Sequence, residues 1–228
     1  MRDRDESNKN LYDGGMRRKR ALAPLTVTAI TNFLWAAEAF LAAGFMLGRV
    51  RSLSTAAGFW ALAMLFMGIS ALSGGINHGF FEPRGNSPAR RVFEKATSIA
   101  AGILAFFTLL TVGWQFFAAG ARPAFITAGL LLFAAYLVAT FLLDGFLVAI
   151  LGYAPAMILF LVMSILGLRA GTGSWQIIAG LLVSAGASVV QAIGVDRFSP
   201  LDRNGLYHVL LMAATVFLSL GGLLLKSA

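Results

Sequence analysis

The sequence predicts an all-α fold: a polytopic transmembrane bundle of seven helices, N-terminus cytoplasmic and C-terminus outside. Three observations carry this. Hydrophobic residues make up 58% of the 228 and charged residues only 12%, against roughly a quarter charged in ordinary globular chains. Apolar runs such as 97–117 and 125–143 approach the roughly 20 residues a helix needs to cross about 30 Å of hydrocarbon. Those runs lack the period-2 alternation of barrel strands, and a helix satisfies its backbone groups within its own segment, as hydrocarbon demands.

Residues 1–20 mix both charge signs with Asn, Ser and Gly and have no apolar period. They read as a solvated, disordered basic tail ending in Arg17, Arg18, Lys19 and Arg20, with the transmembrane domain at 21–228. The apolar run that follows outlasts a signal-peptide core and shows no small-residue cleavage site, so it is a retained first span. Pro24 opens helix 1, which runs to about Gly48, and helix 2 covers about 54–80. Pro83, Gly85 and Pro88 then enforce a loop, and helix 3 follows at about 93–118. Arg122 and Pro123 introduce helix 4, whose apolar run reaches Leu143. Asp144-Gly145 is the only break before helix 5 at 146–168. Gly171, Thr172 and Gly173 make the next turn, helix 6 spans about 174–194, and the polar stretch 196–204 leads into helix 7 at about 205–225.

Lysine and arginine fix the orientation, because cytoplasmic connections retain positive charge. The tail, the 2–3 connection and the 6–7 connection hold 7, 4 and 2 of them, 13 against 5 on the other side. This places the chain in the plasma or inner membrane with Lys226 outside, provided helices 4 and 5 are separate elements. The net charge of +8 therefore reflects orientation, and nucleic acid is not the expected partner. The absence of cysteine excludes thiolate metal sites, iron–sulfur clusters and a Cys nucleophile. No phosphate loop or nucleophile elbow appears.

The two histidines, His78 and His208, fall at helix ends on the cytoplasmic side. Ionisable groups at membrane depth are functional candidates because burying them is expensive; the plainer reading is an interfacial histidine bonded to a loop carbonyl. Asn77, Glu82, Glu94, Asp144, Gln191, Asp196, Asp202 and Asn204 collect on the same side. Ser73 pairs with Asn77 and Asn204 with His208 at helical spacing, which suggests a site between helices 2, 3 and 7. Two imidazoles and a carboxylate such as Glu94 would suit zinc with an open position for water. Glu38 lies near the middle of helix 1 with Asn32 and Trp35 before it. A carboxyl there is either protonated and bonded across helices or turned to a polar proton or solute path. Gly75-x-x-x-Gly79 and Gly167-x-x-x-Gly171 read as close-packing signals. Phe106, Phe107, Phe116 and Phe117 read as core or lipid-facing, and Gly152 with Pro155 as a kink in helix 5.

Gly74-x-x-x-His78 with Ser73 adjacent, Glu94 early in helix 3, and Asn204-Gly-Leu-Tyr-His208 together resemble the seven-helix superfamily often called CREST. It includes alkaline ceramidases and adiponectin-receptor-like proteins. That family carries Ser-x-x-x-His, an acidic residue and His-x-x-x-His at these places, and the phrase Asp-Arg-Asn-Gly-Leu-Tyr-His looks like uncharacterised bacterial members. The resemblance implies a zinc-dependent hydrolase acting on a lipid or other amphipathic amide, with His78 and His208 as ligands and a metal-bound water as nucleophile. Ser73, Glu94 and Asn204 are the matching catalytic positions. Two other classes stay open: a non-enzymatic ligand-binding, sensory or transport protein using a polar cavity with Glu38, and a b-type haem protein with axial histidines. A retinal pump is excluded, since the last helix has no central lysine for a Schiff base.

Overall fold

The computed structural model describes residues 24–143, 146–194 and 201–226. Seven helices are present: α1 (Pro24–Leu47), α2 (Ala56–Ile76), α3 (Pro88–Phe116), α4 (Arg122–Leu142), α5 (Phe146–Gly167), α6 (Trp175–Ile193) and α7 (Arg203–Gly222). Each belongs to a span of 19 to 29 residues, long and apolar enough to cross a membrane. The chain is a multi-pass membrane protein of all-α architecture. The expected tail, with Asp144 and Asp196, lies outside the described residues; α4 and α5 are separate helices on either side of residues 144–145.

Two boundaries differ from expectation. Residues 88–92, expected in a loop, are helical, because the Ser87 side chain caps α3 by accepting from the Arg90 N–H and Pro88 occupies the first turn. A missing N–H is harmless there, since that donor has no partner within the helix. The second helix stops being α-helical at Ile76 and continues as a π-helical turn, Asn77–Phe81, then a short 3-10 turn, Glu82–Arg84. Such turns insert a residue into the helical register and re-aim the side chains that follow.

Helices α1, α2, α3, α5, α6 and α7 follow one another around the bundle, with α7 closing on α1 and α4 lying outside against α3 and α5. The α1–α2 contact is close because Gly75 faces the Phe33 ring and Gly79 faces Ala29, where an added Cβ would lie 2.9 and 3.2 Å from its nearest neighbour. The other glycine pair serves a turn: Gly171 adopts a positive φ, and Gly167 accepts from the backbone N–H groups of Thr172 and Gly173. Tyr136 of α4 fits between Gly102 of α3 and Gly152 of α5, its hydroxyl donating to the Ser98 carbonyl at 2.9 Å. Helix α5 runs on through Pro155. Phe107 stacks with Phe59 and Phe66, and Phe116 meets Phe160, so these phenylalanines join helices within the bundle.

The start of α1, the α2–α3 connection and the α6–α7 connection share one end of the bundle, here called the basic end. At the other end the interior is closely packed and largely apolar. Trp60, Met64, Phe160, Ile177 and Leu218 are almost completely buried there, and Trp60 donates to the Leu218 carbonyl at 3.1 Å.

Candidate functional site

Two turns of α1 place Thr28, Thr31 and Trp35 along one side of the helix, and that side packs on α7. At the basic end the Thr28 hydroxyl donates to Asp202 Oδ1 at 2.8 Å. The same carboxylate caps α7 by accepting from the Gly205 N–H at 2.7 Å. One turn deeper Thr31 Oγ1 lies 3.1 Å from His208 Nδ1, and beyond that Trp35 Nε1 donates to Thr215 at 3.0 Å while its ring stacks on His208 with centroids 5.9 Å apart. His208 is 6% exposed.

The π-turn brings the second histidine to the same place. His78 and His208 ring centroids are 6.4 Å apart. His78 Nδ1 is bonded to the Glu82 carboxylate four residues on, and the turn is held to α3 by Phe81 stacked on Phe93. His78 and Glu82 are about a quarter exposed, so this pair forms the outer edge of the site and His208 its interior.

The Thr31 hydroxyl lies within bonding distance of both the Thr28 carbonyl, at 2.9 Å, and His208 Nδ1. With its hydrogen given to Thr28, the His208 tautomer that suits it carries the proton on Nδ1. The Glu82 carboxylate likewise accepts from His78 Nδ1–H, as carboxylates behind metal- or ligand-binding histidines commonly do. Both imidazoles are held through Nδ1.

Two asparagines add to this. Asn32, one residue past Thr31, lies against Gly74 and Gly75 of α2, and Asn77 opens the π-turn just before His78. They are 2% and 5% exposed, yet Asn32 Nδ2 and Asn77 Oδ1 have no partner among the described residues. A buried polar atom without a partner costs about 1–3 kcal/mol. One donor and one acceptor of this kind lie on the same elements as the two imidazoles, Asn32 one residue past Thr31 and Asn77 one residue before His78.

Of the other sequence candidates, Glu94 and Asn204 are engaged elsewhere. Glu94 accepts from Arg90 Nε at 2.7 Å on the first turns of α3, and Asn204 accepts from Gln191 Nε2 of α6. Ser73 is half-buried on α2, its carbonyl taken by the Asn77 N–H. Asp144 lies outside the described residues. Glu38 follows Trp35 along α1, half-buried, with no hydrogen bond or ion pair among the described residues. The junction is thus formed by α1, the π-turn after α2, and α7, where the sequence suggested helices 2, 3 and 7. Thr28 and Thr31 were missed. Their signal was present as the spacing Thr28, Thr31, Trp35, Glu38, one polar stripe on an otherwise apolar span.

No curated protein and no solved structure matches the chain. Residues 27–227 match a family of unknown function, DUF6962, and the chain belongs to that family.

Proposed function

We propose that the chain is a non-enzymatic binding or transport protein of the plasma or inner membrane, which takes up a small polar solute at the junction of α1, the π-turn and α7. The basic end faces the cytoplasm and the C-terminus lies outside, following the distribution of Lys and Arg. The observation that carries the reading is the pair of buried, unpartnered amide atoms, Asn32 Nδ2 and Asn77 Oδ1, on the elements that bring His78 and His208 together. Asn77 Oδ1 accepts, so the preferred solute carries N–H or O–H groups, as an ammonium, an amide or a polyol does.

The resemblance to ceramidase-like and adiponectin-receptor-like proteins would instead make this a zinc site for lipid-amide hydrolysis. A catalytic zinc takes three protein ligands and a water. Among the described residues no group of three His, Cys, Asp or Glu could hold a metal ion. Glu94 and Asn204, the positions matching the remaining catalytic residues, are bonded to Arg90 and Gln191. Two imidazoles without a third such donor among the described residues fall short of the set a catalytic zinc takes, which supports the non-enzymatic reading.

The test is thermal unfolding of the purified protein in lipid nanodiscs against ammonium salts, small primary amines, amides and polyols at millimolar concentration. At 100 times its Kd a bound solute adds about 2.7 kcal/mol. At least one of these classes raises Tm in the wild type and fails to do so in Asn32→Leu and Asn77→Leu. If none raises it, the proposal fails.

A further inference from the structure

Helix α1 presents a continuous face to the outside of the bundle. Ile30, Leu34, Leu41 and Phe45 are exposed on it, Leu41 at 76%, and Ala37, Gly44 and Gly48 lie on the same side. A face of this composition would ordinarily be read as lipid-facing, as on α4 and α5. Two features set it apart. Glu38, close to the middle of the span Leu25–Leu47, sits at its edge, half-buried and without a partner among the described residues. A carboxyl left against hydrocarbon at that depth is costly. At Gly44 an added Cβ would meet nothing within 4 Å, and at Gly48 only the helix's own carbonyls, at 3.5 and 3.7 Å. Both glycines leave backbone open to the outside.

We infer that this face of α1 docks against the same face of a second copy of the chain, with Glu38 bonded to Glu38 of the second copy across a two-fold axis. The choice of occupant follows from the chemistry of the carboxyl. A protonated carboxyl donates through its O–H and accepts through its C=O, so it is complementary to itself, and two-fold pairing places like residues opposite one another. The pair is neutral, which suits hydrocarbon, and needs no residue that this chain lacks. Gly44 and Gly48 let the two backbones approach, as small residues do where membrane helices associate through packing and interhelical hydrogen bonds. Beyond Phe45, Arg49 lies over the Phe45 ring at 4.1 Å and keeps its charge toward the end of the face.

The chain has no cysteine, so single-cysteine cross-linking in native membranes reads the face directly. L41C forms a disulfide-linked homodimer on mild oxidation, and L131C, on the exposed face of α4, does not. In nanodiscs or proteoliposomes, energy transfer between labelled copies gives a dimer dissociation constant. E38L raises it about tenfold, the value of one interhelical hydrogen-bonded pair; E38Q, which still donates and accepts, stays near wild type. G44L, which points into open space and leaves the fold of one copy intact, abolishes the dimer. The inference is overturned if L41C cross-links no better than L131C, if the cross-linked product contains a different protein, or if E38L leaves the dissociation constant unchanged.

Discussion

Gln115, at the end of the bundle away from the basic connections, and Asn32 and Asn77, near the basic end, are all buried amides, and their circumstances differ. Gln115 Nε2 donates to the Thr172 carbonyl at 2.8 Å, and its Oε1 accepts from the Lys226 N–H at 3.0 Å. Around it Trp60 meets Phe160 edge to face, and Gly222 lies so close to Trp60 that an added Cβ would be 2.4 Å away. Asn32 and Asn77 each leave an atom unpaired, and four of the six buried unpartnered side-chain atoms among the described residues fall toward the basic end: Asn32 Nδ2, Asn77 Oδ1, Thr140 Oγ1 and Gln191 Oε1. At one end the buried amide is satisfied on both its nitrogen and its oxygen. The other keeps hydrogen-bonding capacity in reserve where burial makes it expensive, which a purely structural role does not require.

Substitutions at the two ends sharpen this contrast. The largest effect is expected at the apolar end. Trp60→Ala removes a fully buried indole and its bond to the Leu218 carbonyl, and lowers stability by about 3–5 kcal/mol, measured by unfolding in mixed detergent. Asp202→Ala removes both the cap of α7 and the partner of Thr28, at about 1–2 kcal/mol. Thr31→Val, nearly isosteric, costs about 1 kcal/mol, and it also frees His208 Nδ1 from its tether, so solute binding weakens more than stability does. Asn32→Leu reverses the sign: without solute it is neutral or stabilises by about 1 kcal/mol, because an unpartnered buried amide is replaced by an apolar group of similar size. A loss of several kcal/mol there would show that the amide is already satisfied, and the contrast between the ends would collapse. Arg90→Ala, at a partly exposed pair with Glu94, changes stability by no more than about 0.5 kcal/mol.

Most of the fold was legible because hydrocarbon leaves few alternatives. Once a run is long and apolar it must be a helix, and Arg122-Pro123, Asp144-Gly145 and Gly171-Thr172-Gly173 punctuate the chain where helices end or begin. Ser87-Pro88 was read as loop although a capping serine followed by proline is also a helix start, and the deciding bond, from Arg90 N–H to Ser87, is local. The π-turn at Asn77–Phe81 had no such signal. It depends on the bond between His78 and Glu82 and on Phe81 meeting Phe93 of α3, a partner supplied by the tertiary fold. The pairing of His78 with His208 was suggested by their shared leaflet, but Thr31 as the partner of His208 Nδ1 could be identified only once α1 and α7 were known to be neighbours.

The most direct measurement is nitrogen NMR of the protein labelled with 15N-histidine, since the chain contains only two. Both residues should show a protonated Nδ1 and a bare Nε2, and both Nε2 signals should move when the solute that raises Tm is added. A protonated Nε2 in either residue, or Nε2 signals unmoved by that solute, would contradict a site built on two tethered imidazoles.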